Sequence, residues 1–374
     1  MENSGIKIIS KLLFFLLICS VTNGTEEECS TRQVSVYYGT SDVSAAVAIS
    51  DKMFVVADDE NNVLRVYKTG QTCRPVYSYD LTQFLEASPK HPEADIEGAT
   101  VVGETVYWIT SHGRNKDGKM RPNRYRFFAT KITVQNDNIS VEPVGVPCRT
   151  LVHSLLKVKS MCELDLKKAA GFNALYLTDK QRRELAPKKA GLNIEGLCAS
   201  ADGRVLYIGF RNPLVFDEGG GSAKAIVVPL ENARDLVEKQ REPVFGEPML
   251  WDLGGLGIRS MEYSGCRNAY FILAGPKDEQ QDFALYRWSG EKGKQPTLVR
   301  KISTSVSSFS PEALVSFEDS EKLLLLSDDG ALEVEVSEPS ECMEGELLSG
   351  GRCLNKYLTD PSKKIFRAVW LGAF

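Results

Sequence analysis

The chain has 374 residues, 43% of them hydrophobic, with 45 Lys and Arg against 50 Asp and Glu for a net charge of −5. The two signs are interleaved, which argues against a dedicated nucleic-acid surface; the basic patch Arg121–Arg126 runs straight into an apolar stretch and reads as the solvated end of a strand. Three histidines and no CxxC spacing argue against a zinc site.

Residues 1–24 read as a secretory signal peptide: Lys7 and Lys11 lead into the apolar run Leu12–Cys19, and Thr22-Asn23-Gly24 supplies a small-residue exit before Thr25. The expected product is secreted or periplasmic, with no membrane span after cleavage, because no later segment reaches the roughly twenty apolar residues a helix needs to cross. Of nine cysteines, Cys19 leaves with the signal, and the even remainder in an exported chain suggests disulfides. Cys342–Cys353 and Cys148–Cys162 are the local pairs expected.

From residue 25 to 374 one phrase returns: a small polar residue, an apolar one, then usually glutamate. It reads Asp42-Val43-Ser44, Asp95-Ile96-Glu97, Asn193-Ile194-Glu195, Ser260-Met261-Glu262 and Ser310-Pro311-Glu312. Each is followed after a turn by a very apolar strand: Met53–Val56, Val106–Thr110, Val205–Gly209, Tyr270–Ala274 and Leu323–Ser327. Further strands complete units of four, such as Tyr125–Ile132 with Ile139–Val144, Ala225–Pro229 with Met249–Leu253, and Phe283–Trp288 with Thr297–Ile302. The turns Ala201-Asp202-Gly203 and Ser327-Asp328-Asp329-Gly330 suit short hairpins. Four-stranded units repeated around an axis predict an all-β fold, a β-propeller of five blades in a single domain. A sixth blade stays open in the long gap between the second and third copies. The preferred occupant of that gap is a helical insertion at 149–170, where Leu151, Leu155, Val158, Cys162 and Leu166 recur at helical spacing. A second short helix is expected at Asn232–Gln240. Closing the ring requires the chain ends to share a blade, with Arg32–Tyr38 or Ile365–Leu371 pairing with Leu332–Val336.

Several motifs in fixed order carry a resemblance: Ser111-His112-Gly113-Arg114-Asn115 with Pro122-Asn123-Arg124, Leu192–Leu197 with Gly209–Leu214, Gly257–Glu262, and Pro311–Leu314 with Ser327–Gly330. Together they resemble the domain of unknown function 3616 family, over nearly all the mature chain. The resemblance implies an exported, propeller-like domain and brings no assigned activity.

In a propeller the first strand of each blade lines the central channel, so equivalent positions gather into a ring. The expected ring is Ser44, Glu97, Glu195, Glu262 and Glu312. Converging carboxylates raise one another's pKa and demand countercharge. Three answers stay open. Arg114, Arg211 and Arg259 cement the blades as ion pairs. Alternatively Glu97, Glu195, Glu262 and Glu312, with Asn193 and Asp95 nearby, hold a hard cation, calcium (Ca2+) above all. In that case the site extends by fold-level analogy to a calcium-dependent hydrolase of esters or phosphoesters, lactonase-like or phytase-like. As the third answer, Arg114, Arg211 and Arg124, with Arg259, grip a small anionic or ester ligand, or a protein partner, at the channel mouth. His112, beside Ser111, reads as a turn residue. Gly219-Gly220-Gly221 reads as a loop. Asn138-Ile139-Ser140 is a glycosylation sequon.

Overall fold

The computed structural model describes residues 34–372 except 71–73, 137, 163, 173–175, 217–220, 279 and 303–307. The signal peptide, Cys29, Cys73 and the Gly219-Gly220 part of the glycine run lie outside the described residues.

Alternating apolar runs and tight turns fold into five four-stranded antiparallel sheets. Blade one is Val43–Ala48, Met53–Asp58, Val63–Lys68 and Tyr77–Asp80. Blade two is Ile96–Val102, Thr105–Thr110, Phe127–Gln135 and Asn138–Cys148. Blade three is Asn193–Ala199, Leu206–Asn212, Ala225–Leu230 and Met249–Trp251. Blade four is Gly257–Ser264, Ala269–Gly275, Phe283–Trp288 and Thr297–Ile302. The innermost strands touch in a closed circle, each packed against the next and the fifth against the first. A five-bladed β-propeller is therefore the fold, as the repeat predicts.

Blade five is the closure, and here the sequence reading needs correction. Pro311–Ser316 pairs with Leu323–Ser327, which pairs directly with Ile365–Leu371, and Val34–Tyr38 is the outermost strand. Both chain ends are used. Leu332–Val336 is not in the blade: Glu333–Glu335 forms a separate ribbon with Arg352–Leu354. Residues 327–330 open a long insertion rather than a hairpin, because Asn355 pins its far end back to the blade. The Asn355 amide donates to the Asp329 and Ile365 carbonyls at 2.9 and 2.7 Å and accepts from the Ile365 N–H. Cys342–Cys353 is a disulfide that ties this ribbon. The seam between blades five and one is filled by an aromatic quartet, Tyr37, Phe54, Tyr67 and Phe366, with Tyr37 stacked on Phe366 at 5.0 Å.

The insertion after blade two is helical but broken. Leu151–Leu155, a 3-10 turn at Lys159–Met161 and Leu166–Ala170 replace one continuous helix. Val158 is extended and Asp165 is left-handed, so Met161 takes the buried place that a straight helix would give Cys162. Cys148 and Cys162 are accordingly unbridged: Cys148 Sγ lies by Thr150 Oγ1, and Cys162 is exposed. The helix Ala233–Lys239 matches expectation. Among the described residues, no helix is long and apolar enough to cross a membrane.

Candidate metal centre at the channel mouth

Strand direction decides which end of the channel carries chemistry. The innermost strands begin at the face that receives the loops after the second and fourth strands of each blade, and both long insertions sit on that face. Every blade carries a bulge in the same place. The pairs Val43↔Asp58, Ile96↔Thr110, Ile194↔Phe210, Ile258↔Ala274 and Pro311↔Ser327 are each followed by a register shift that leaves one residue unpaired. A bulge re-aims its extra residue. The five extra residues are Ser44, Glu97, Glu195, Arg259 and Glu312.

Arg259, not Glu262, is thus blade four's member of the ring. Glu262 lies three residues further down the channel, level with Val47, Thr100, Cys198 and Val315. There its carboxylate accepts the Ser316 N–H of the next blade at 3.3 Å, as Thr100 Oγ1 accepts the Ala199 N–H at 2.8 Å. Burial with no cation in reach pushes Glu262 up to about 8.

A second ring comes from the position just beyond the same pairs: Asp59, Ser111, Arg211, Gly275 and Asp328. Ser111, not Arg114, is blade two's member. Arg114 is turned away, its guanidinium donating to the carbonyls of Gly118 and Gly171 at 3.0 and 2.8 Å at the end of the helical insertion. The two rings together are polarised. Of the charged members, blades three and four contribute Arg211 and Arg259 with one acid, Glu195; blades five, one and two contribute acids alone, Glu312, Asp328, Asp59 and Glu97.

The cationic half makes its ion pairs internally, although Arg259 Nη1 keeps no hydrogen-bond partner among the described residues. Arg211 donates to Glu195 Oε1 at 2.7 Å and to the Pro276 and Lys277 carbonyls. Asn193 donates to the same Oε1 at 2.6 Å. Arg259 bonds Glu312 and faces Glu195 Oε2 at 3.3 Å, an ion pair whose angle falls outside hydrogen-bond geometry. Burial opposes the Arg259 charge, but Glu195 and Glu312 outweigh it and hold the guanidinium protonated.

The anionic half is not satisfied. Three overlapping carboxylate groups, each with ligand atoms within 4.8 Å, run across the mouth: Asp42, Asp59 and Glu60; Asp59, Asp95 and Glu97; Glu97, Glu195 and Glu312. Asp95 spends Oδ2 on Arg124 at 2.9 Å, in a left-handed backbone conformation with φ 61°. Among the described residues, Lys356 makes its ion pair with Glu60, at 3.5 Å. Glu97 is 8% exposed and, among the described residues, has no hydrogen bond or ion pair, while Asp59 Oδ1 is fully shielded without a partner. Burial, then the charges of Glu195, Asp95 and Glu312, holds Glu97 well above the usual carboxylate range. Burial, then Glu97, Asp42 and Asp328, does the same to Asp59. Burial and Asp328 push Asp42 up to about 8. Burial also pushes Glu312 up to about 8, although Arg259 pulls it down.

The sequence reading missed Asp42, the Arg124–Asp95 pair and the bidentate Arg367–Asp329 pair at 2.8 and 2.6 Å. Asp42 had a signal, since it opens the first copy of the repeated phrase. His112 is buried in a left-handed turn, with Nδ1 on the Thr110 carbonyl at 2.8 Å, and burial lowers it to about 4.

Fold and site together define a five-bladed propeller with an acidic, charge-polarised channel mouth. The chain belongs to the DUF3616 family of proteins of unknown function, whose family model matches residues 42–311. No curated protein matches it in sequence. Solved structures similar in fold include the PQQ-bound aldose sugar dehydrogenase of Streptomyces coelicolor (9% identity, 91% of this chain and 99% of that chain, TM-score 0.38). Others are the glutaminyl cyclase of Myxococcus xanthus (12%, 78% and 88%, TM-score 0.37) and the Cps50 (Swd1) β-propeller domain of Myceliophteria thermophila (10%, 76% and 80%, TM-score 0.30). At these levels of similarity no activity transfers.

Proposed function

We propose that this protein is an exported propeller that binds a hard divalent cation, calcium, on the anionic side of its channel mouth, with Asp59, Asp95 and Glu97 as the central ligands. The observation that carries the reading is Glu97: a buried carboxylate without a hydrogen bond or ion pair among the described residues, shared by two carboxylate groups, in a mouth whose arginines form their ion pairs with Glu195 and Glu312. Oxygen-only donors of irregular disposition suit calcium better than magnesium, which demands near-ideal octahedral geometry. Arg211 and Arg259 act here as the counterions of Glu195 and Glu312, which leaves Glu97 to the cation. Binding rather than hydrolysis is the better supported role, because His112 is held on a backbone carbonyl and Arg114 on the helical insertion, away from the carboxylates.

Calorimetric titration of calcium into protein freed of metal by chelation tests this. Glu97→Gln is expected to weaken binding by more than about tenfold, since affinity follows the number of charged ligands. Glu262→Gln, lower in the channel, is expected to leave it unchanged. Equal affinity in wild type and Glu97→Gln would refute the assignment.

A further inference from the structure

We infer that two copies of this chain dock mouth to mouth as a two-fold dimer, the basic side of each seated on the acidic insertion of the other. The pairing does not depend on the cation reading above. In a five-membered ring the junction of blades two and three lies directly across from blade five. The insertion at 149–192 leaves blade two for blade three, and that at 328–364 interrupts blade five, so the two stand on opposite sides of the mouth. On the first side Lys116, Lys119, Lys180 and Arg183 are exposed and have no ion pair among the described residues. On the second side the same holds for Glu335, Glu338, Glu344 and Glu346. Both sides also present apolar side chains to water: Met120 at 37% and Tyr176 at 96% on the basic side, Met343 at 50% and Leu347 at 42% on the acidic one.

Both surfaces are pinned to the propeller. Arg114 donates to the carbonyls of Gly118, Ala170 and Gly171 at 3.0, 3.4 and 2.8 Å, which ties the blade-two loop carrying Lys116, Lys119 and Met120 to the insertion. The fit is close, since a Cβ on Gly118 would lie 1.8 Å from the Arg182 carbonyl oxygen. Lys180 and Arg183, on the capped helix Asp179–Arg183, therefore stand beside that loop. The acidic surface is the ribbon of Glu333–Glu335 and Arg352–Leu354, held by the Cys342–Cys353 disulfide. Like charges repel within each surface, and inside one molecule the mouth keeps the opposite charges apart. A two-fold axis between facing mouths lays each basic surface on the acidic one of the other copy, and the symmetry repeats every contact. The charges set partner and orientation, while the exposed apolar side chains contribute burial. A free polyanion would answer the basic side alone; a second copy answers both.

Analytical ultracentrifugation of the protein tests the pairing. In about 50 mM sodium chloride it is expected to sediment as a dimer, with a dissociation constant that rises at least about tenfold in about 0.5 M salt, where exposed charges are screened. Lys116→Glu, Lys119→Glu, Lys180→Glu and Arg183→Glu together should weaken the dimer at least about a hundredfold, and so should Glu335→Lys, Glu338→Lys, Glu344→Lys and Glu346→Lys together. Mixed one to one, the two variants present complementary surfaces again and should sediment as a heterodimer, which damage to either fold would not produce. A wild type still monomeric at about 0.1 mM in low salt would overturn the pairing. So would a dimer that survives either charge reversal, or a mixture that stays monomeric, whatever calcium does at the mouth.

Discussion

Arg259→Met should destabilise the protein by about 3–5 kcal/mol at pH 8, the range for leaving a buried charge without its partner. Arg259 is 7% exposed and is the ring's one cationic bulge residue. It bonds Glu312 and faces Glu195, while Glu312 has no other cation in contact among the described residues. Removing the guanidinium takes away the charge that pulls Glu312 down, so its carboxyl is held protonated to higher pH and Glu195 keeps Arg211 alone. The loss should therefore grow with pH, because at low pH Glu312 simply takes up a proton. Arg259→Met with Glu312→Gln should recover more than half of it, because Glu195 keeps Arg211. Urea unfolding of the three proteins at pH 6 and pH 8 measures this. A cost below about 1 kcal/mol at pH 8 would mean that the pair is solvated and the ring is not a closed ionic core.

The second large effect is on pH dependence. Asp42, Glu262 and Glu312 each move from near 4 up to about 8 on folding, chiefly through burial. The folded protein thus holds protons that the unfolded chain releases between about pH 4 and pH 8. Their contribution to stability is complete below the unfolded values and is lost as pH rises through 8. Every tenfold gain in proton affinity on folding corresponds to about 1.4 kcal/mol, so the metal-free protein should lose several kcal/mol across this window. Calcium should remove the part due to Asp42, because a cation replaces the missing proton. It should not remove the part due to Glu262, which lies below the mouth. Glu262→Gln isolates that part: the amide oxygen still accepts the Ser316 N–H, no charge develops at high pH, and the variant should gain at least about 2 kcal/mol over wild type at pH 8.5. Thermal melts in chelator and in calcium, from pH 5 to pH 9, separate the two. A metal-free melting temperature that rises from pH 5 to pH 8 would contradict the burial of these acids.

Much of the architecture was legible because blades are local. An apolar strand, a turn and a second strand need only neighbouring residues, so blades two, three and four read strand by strand from periodicity and turn chemistry, and blade one from its first two strands. Blade five did not. Its strands come from both ends of the chain, and a disulfide-tied ribbon interrupts it, so the run Leu332–Val336 looked like the missing partner when Ile365–Leu371 was. The helical insertion was visible from its apolar spacing, but its break at Val158 and Asp165 follows from packing against blades two and three, which no local pattern records.

The site was half legible for a related reason. A ring position is set by register, and a one-residue slip moves a side chain to another face. Reading blade four from Ser260-Met261-Glu262 followed the acid; aligning instead the isoleucine of Ile258-Arg259-Ser260 with Ile96-Glu97-Gly98 and Ile194-Glu195-Gly196 puts Arg259 in the ring and Glu262 below it. Arg114 and Arg211 likewise looked equivalent by distance from their glutamates, yet the bulge and turn lengths place Ser111 opposite Arg211. The charge polarity of the mouth emerges only once both rings are in register.

Anomalous diffraction from crystals grown with calcium would decide the matter. A cation bound across the anionic half predicts one strong peak with Asp59 and Glu97 oxygens about 2.3–2.6 Å away. No peak there at saturating calcium, or one held by other residues with Glu97 still unpartnered, would contradict the account.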